Sequence, residues 1–166
     1  MFERVLFPTD FSAYSQKVLE CIRELPGAKN VVILHVIDPG NFHENIWDIG
    51  GRIDEASARL HQQKSFLEGS SLQIMTRVTI AEDSISKAIQ RVADETKSSV
   101  VVMGTRGRGI IKGIFLGSIA KDVLRNGNTN LLLMRYSILD GRNGPAPGRK
   151  CSKIFSKVLC PTDLSK

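Results

Sequence analysis

The sequence predicts an α/β fold: a doubly wound sheet of five parallel strands with helices on both faces. Short apolar runs alternate strictly with segments whose apolar residues recur at helical spacing. The second run, Val31-Val32-Ile33-Leu34-His35-Val36-Ile37, is almost unbroken, as in a strand covered on both faces and therefore in a parallel sheet. Strands that follow helices in this way are joined by right-handed crossovers, which wind the chain over both sides of the sheet.

Arg4 to Thr9 is the first strand, ended by Pro8-Thr9-Asp10, and Ser12 is placed to cap the next helix. Tyr14, Val18, Cys21, Ile22 and Leu25 form one apolar stripe on that helix, and Pro26-Gly27 stops it. After the second strand, Asp38 to Gly51 has no sustained period and reads as a loop with at most one helical turn. Ile53 to Glu68 is a helix with Ile53, Ala56, Leu60 and Leu67 inward, closed by Gly69. Leu72 to Val78 alternates as a half-exposed edge strand does. Ile85, Ala88, Ile89, Val92 and Ala93 mark a third helix, capped by Asp83 or Ser84. Val100 to Met103, a helix opened at Gly117-Ser118, and Leu131 to Met134 complete the alternation.

Composition narrows the function classes. With 42% hydrophobic and 24% charged residues, the chain has the make-up of an ordinary globular domain. No apolar run approaches the ~18 residues of a membrane span, and Met1-Phe2-Glu3-Arg4 leads directly into a strand, so a cytoplasmic protein is expected. Cys21, Cys151 and Cys160 show no disulfide framework or zinc-ligand spacing and are expected as thiols, with Cys21 in the core. The net charge of +6 does not point to nucleic acid. Residues 137–166 hold six basic and two acidic side chains, which leaves 17 basic against 15 acidic in 1–136 and no basic stripe.

Between the fourth strand and the last helix lies a loop of about a dozen residues, longer than such connections usually are. It carries Gly104, Gly107, Gly109, Gly113 and Gly117, expected to admit positive φ and close approach of a ligand to the backbone. Its apolar tip, Ile110, Ile111, Ile114, Phe115 and Leu116, argues against disorder. The helix that follows presents free N–H groups and the positive end of its dipole, a seat for phosphate oxygens, and Ser118 can cap it or donate its hydroxyl. A glycine-rich surface turn with an ordinary cap is the plain alternative. The spacing matches neither a Walker A loop nor a dinucleotide fingerprint.

The spacing Gly104, two residues, Gly107, nine residues, Gly117-Ser118 resembles the nucleotide loop of the universal stress protein family, and specifically its ATP-binding members. The likeness extends to Val5-Leu6-Phe7-Pro8-Thr9-Asp10-Phe11-Ser12 and to Leu34-His35-Val36-Ile37-Asp38, and spans residues 1–136. It implies the strand order 3-2-1-4-5, with ligands bound where the winding reverses, between the first and fourth strands. It implies an adenine nucleotide, ATP, ADP or AMP, with Mg or Mn held through its phosphates. The expected site is Pro8, Thr9, Asp10, Val36, Met103, Gly104, Arg106, Gly107, Gly117, Ser118 and Ile119. Val36 and Met103 line an adenine slot, Asp10 meets the ribose or the adenine amino group unless it caps its own turn, and the loop glycines, Ser118 and the Ile119 amide hold the phosphates. Arg106, Arg108 and Lys112 offer cations, whereas His35 reads as packed in its strand.

Residues 137–152 read as a Gly/Pro-rich linker. Residues 153–166 contain Lys157-Val158-Leu159-Cys160-Pro161-Thr162-Asp163, a repeat of Arg4 to Asp10, and are expected to be the first strand of a truncated second copy, disordered or paired with an exposed edge. The resemblance further implies a homodimer through the last strand. The expected function is nucleotide-dependent regulation in a stress response, with at most slow hydrolysis, because no general base or metal-binding acidic pair is evident. The alternatives are a hydrolysing or adenylyl-transferring enzyme of a related fold, and a nucleotide-free dimerisation module.

Overall fold

In the computed structural model, described for residues 2–41, 49–105, 116–134, 151 and 154–155, five strands form one parallel sheet in the order β3-β2-β1-β4-β5. The strands are β1 (Arg4–Pro8), β2 (Asn30–Ile37), β3 (Gln73–Ile80), β4 (Val100–Gly104) and β5 (Asn130–Met134), and the helices are α1 (Ala13–Ile22), α2 (Ile49–Ser65), α3 (Ile85–Glu95) and α4 (Ser118–Asn126). The fold class and strand order are those expected.

Alternation along the strands sorts the core into two layers. Val5, Phe7, Val31, Ile33, Val100 and Val102 pack against Val18, Leu19 and Ile22 of α1 and Leu60 of α2. Leu6, Val32, Leu34, Val36, Val101 and Met103 face the other way, against Ala88, Ile89, Val92 and Ala93 of α3 and Ala120 and Val123 of α4. Each such Val, Leu, Ile, Phe or Met side chain contributes ~1.5–3 kcal/mol by leaving water. β2 is buried along nearly its whole length because both layers cover it. Its neighbour β3 ends the sheet, and Met75 there is 66% exposed.

Boundaries follow local chemistry. Ser12 caps α1, its side chain accepting from the Ser15 N–H. Helix α1 closes at Ile22, earlier than the stripe suggested, but Leu25 N–H donates to Ile22 O and the tightened turn still buries Leu25. Ser84 rather than Asp83 caps α3. Helix α2 begins four residues before the expected Ile53, since Gly50 and Gly51, weak helix formers, conceal its first turn in the sequence. The loop before it holds a 3₁₀ turn at Pro39–Asn41.

One expectation fails. Cys21 is buried as foreseen, but it is not a thiol: it is joined to Cys151 in a disulfide with 5.1 Å between the Cα atoms. A separation of 130 residues leaves no spacing from which to read the pair. Nearby, Phe155 stacks on Phe2 with ring centroids 5.6 Å apart. Of residues 153–166, expected to be the first strand of a second copy, Ile154 and Phe155 lie in a turn, and the rest, with the repeat from Lys157 to Asp163, lies outside the described residues.

Candidate functional site

The sheet opens at the carboxyl ends of β1 and β4. The β1–β2 pairing runs to Pro8 opposite Leu34, and β4–β5 runs to Gly104 opposite Met134, but the β1–β4 register stops at Leu6 opposite Val101. Beyond that pair lie Phe7 and Pro8 on one strand and Val102, Met103 and Gly104 on the other. A crevice at the reversal of winding is where open α/β sheets receive ligands.

One rim of the crevice is a turn built from its own side chains. Thr9 is 5% exposed; its N–H donates to Leu34 O at 2.8 Å and its hydroxyl accepts from the Phe11 N–H at 3.0 Å. Asp10 Oδ1 accepts from the Ser12 N–H at 3.0 Å, which makes the carboxylate a turn cap. Phe11 holds φ at +59°, a left-handed conformation rare for a residue with a bulky side chain. Its ring lies 4.4 Å from that of His35, and the Arg59 guanidinium sits over it at 4.2 Å. His35 Nδ1 is 2.8 Å from Thr9 O. A carbonyl only accepts, so Nδ1 carries the proton, and His35 is a packed residue that steadies the rim, as its place in the strand suggested.

The opposite rim is the junction of β4 with α4. Thr105 N–H donates to Met134 O at 3.0 Å, and Gly117 N–H donates to Thr105 O at 2.7 Å. The second bond seats the start of α4 beside the end of β4, although the two residues are twelve positions apart in the chain. Gly117 is the N-cap of α4 and makes no side-chain cap bond, while Lys121 N–H closes the first helical turn onto Gly117 O. The Ser118, Ile119 and Ala120 amides therefore stand in the first turn without an intrahelical carbonyl, at the positive end of the helix dipole.

Several expected roles change in detail. Ser118 does not cap the helix; it is the first helical residue and is exposed, because Gly117 already occupies the cap position. Gly117 holds φ at −66°, open to any residue, and its N–H is engaged by Thr105. Among the described glycines, positive φ occurs at Gly27 and Gly69, where helices end, and not at Gly104 or Gly117. Asp38, at the end of the second family motif, has Oδ1 accepting from the Gly40 N–H at 2.9 Å, a cap of its own loop.

Val36 and Met103, 9% and 8% exposed, lie in the same apolar layer, with Leu116 and Ile119 packed against it. Pro8 alternates onto that layer with Leu6. Thus Pro8, Val36, Met103, Gly104, Gly117 and Ile119 converge on the carboxyl end of the sheet. Arg106, Gly107, Gly109, Gly113, Arg108 and Lys112, like Phe42 and Trp47 of the second loop, lie outside the described residues. Phe11 and Ser15, whose Oγ accepts from the Thr9 hydroxyl at 3.1 Å, support the first rim and carry no chemistry that singles them out in a sequence.

A profile of the universal stress protein family matches residues 1–135. The chain belongs to that family. Universal stress protein MJ0577 of Methanocaldococcus jannaschii is 21% identical over 157 residues, covering 81% of this chain and 96% of its own. The solved structure of MJ0577 superimposes with a TM-score of 0.71 at 23% identity, over 82% of this chain and 98% of that one. A universal stress protein from Archaeoglobus fulgidus in complex with dAMP has a TM-score of 0.58 at 21% identity, covering 80% and 97%. A family member in complex with cAMP has a TM-score of 0.61 at 22% identity, covering 82% and 98%. At these identities the structural likeness speaks for the fold, and the family rests on the profile.

Proposed function

We propose that this chain is a nucleotide-binding regulatory protein of the universal stress family, which takes an adenine nucleotide, with ATP as the physiological form, into the crevice between β1 and β4. The observation that carries the reading is the Gly117 to Thr105 hydrogen bond, which sets the unfilled amides at the start of α4 against the mouth of the parted strands. The dAMP and cAMP bound by relatives support the ligand class.

In this reading Val36 and Met103 contact the base, Pro8, Thr9 and Asp10 border the ribose, and the Ser118 and Ile119 amides hold phosphate oxygens together with Gly104, Arg106 and Gly107. A divalent ion, Mg or Mn, would be held by the phosphates and neutralise their charge. No group of three or more His, Cys, Asp or Glu among the described residues is arranged to hold a metal. Among the described residues no helix is long and apolar enough to cross a membrane. The proposed setting is the cytoplasm, where the nucleotide is at hand, and the proposed assembly is a homodimer through β5.

The test is to denature the purified protein and identify any released nucleotide by chromatography, then to titrate the stripped protein with ATP, ADP and AMP. Gly117→Val, which sets a branched side chain at the start of α4, should abolish binding while the far-ultraviolet circular dichroism stays unchanged. Retained affinity in that variant would place the phosphates elsewhere.

A further inference from the structure

We propose that Cys21 and Cys151 form a redox-modification site whose reactants are low-molecular-weight thiols and disulfides. Its oxidation state decides whether Cys151, Ile154 and Phe155 are strapped to the amino end of the sheet. The inference stands apart from the nucleotide reading, since it concerns the end of the domain opposite the crevice.

The two cysteines are unequal. Cys21 lies in the last turn of α1 and is 1% exposed, whereas Cys151 is partly exposed. A reagent in solution therefore meets the bond from the Cys151 side. Their Cα separation of 5.1 Å is within the range a disulfide spans, so the bond can form again without moving the backbone far.

What the bond holds down is small. Beyond Cys151 the segment is anchored by Phe155 on Phe2, with the rings 15° from parallel, and by Ile154 at the margin of the α1/α2 core layer. Phe155 remains 39% exposed. Among the described residues the buried members of both core layers come from positions 5–123, and Ile154 packs only at the margin of one of them. With the bond cut, two half-buried side chains must offset the entropy of ordering the strap, and the docking no longer benefits from the covalent tether.

Reduction is a pair of exchanges. The thiolate of a small thiol attacks Cys151 Sγ, the protein S–S bond breaks, and Cys21 leaves as a thiolate that takes up a proton. A second small thiolate attacks the small-molecule sulfur of the mixed disulfide, which frees Cys151 and yields a small disulfide. Two small thiols supply the two electrons that the protein bond accepts. Oxidation runs the same steps backward, with glutathione disulfide as a suitable oxidant.

The test uses the full chain incubated with glutathione disulfide or with excess reduced glutathione, followed by alkylation, mass spectrometry and limited trypsinolysis. Alkylated after denaturation, oxidised protein should react at Cys160 alone and reduced protein at all three cysteines. Tryptic cleavage after Lys153 should accelerate by about tenfold or more on reduction, with a cooperative thermal transition retained. Cys151→Ser should behave as the reduced form under both conditions, and Cys160→Ser should leave the oxidised form unchanged. Three reactive thiols after the oxidant, Cys160 found in the disulfide, an unchanged cleavage rate, or loss of the cooperative transition on reduction would each overturn the proposal.

Discussion

At their amino ends β1 and β4 are laced together, and at their carboxyl ends the same two strands part. Ser99 accounts for the first: its N–H and hydroxyl both donate to Arg4 O, at 2.8 and 3.0 Å, and its oxygen accepts from the Arg4 N–H at 3.1 Å. Asn130 Nδ2 adds a bond to Ser99 O at 3.0 Å, and the Lys29 and Asn30 amides both donate to Glu3 O at 3.0 Å. The disulfide and the Phe2–Phe155 stack lie at this end too. Across the sheet, bonding between the strands gives way to a turn that satisfies its own polar groups and a helix whose first amides have no intrahelical carbonyl. The difference teaches how one fold divides its work: pairing saturated at one end keeps the strands in register, and the other end is where the proposed nucleotide would meet the polar groups.

Substitutions can break or sharpen that contrast. The largest effect is expected at Phe7, which is fully buried in β1 one position beyond that strand's last pair with β4. Phe7→Ala should lower unfolding stability by ~3–5 kcal/mol in urea titration and weaken nucleotide affinity as well, because it loosens the strand that both ends share. Ser99→Ala should separate the ends. It removes the side-chain bonds to Arg4 and should cost ~1–2 kcal/mol by the same titration while calorimetric nucleotide affinity is unchanged. A fall in affinity equal to that of the Phe7 variant would show that the two ends are not independent.

Ser12→Ala acts on the other side of the contrast. Loss of the α1 cap should cost ~1 kcal/mol in thermal unfolding, with the amides of Phe11 to Ser15 exchanging faster while those near Ser99 keep their protection. The smallest effect is at Glu3, whose exposed carboxyl is held below the usual carboxylate range by its hydrogen bond to, and the charge of, Lys29. A lowered carboxylate pKa gives a stabilisation present above the ordinary value and lost as pH falls through the lowered one. Lys29→Ala should therefore raise the Glu3 titration midpoint seen by NMR and flatten this acid-side dependence, with little change in stability at neutral pH because the pair is exposed.

Much of this was legible in the chain itself. The unbroken run in β2, the stripes of α1 and α3 and the cap at Ser12 act over a few residues, through propensity and periodicity, and the fold class follows from their alternation. The glycine spacing from Gly104 to Gly117 likewise marked the family. Less legible were features in which a local signal competes with itself. Gly50 and Gly51 hid a helical turn, and Ser118 looked like a cap that Gly117 had already supplied.

Local pattern thus determined the elements, their order along the chain and the family, because each depends on side chains a few positions apart. Only the tertiary structure decided that β1 and β4 part after Leu6 and Val101, that Gly117 bonds Thr105, and that Cys21 meets Cys151. Those features join residues distant in sequence, and the free energy that brings them together is released by the burial of two apolar layers, which no neighbouring residue records.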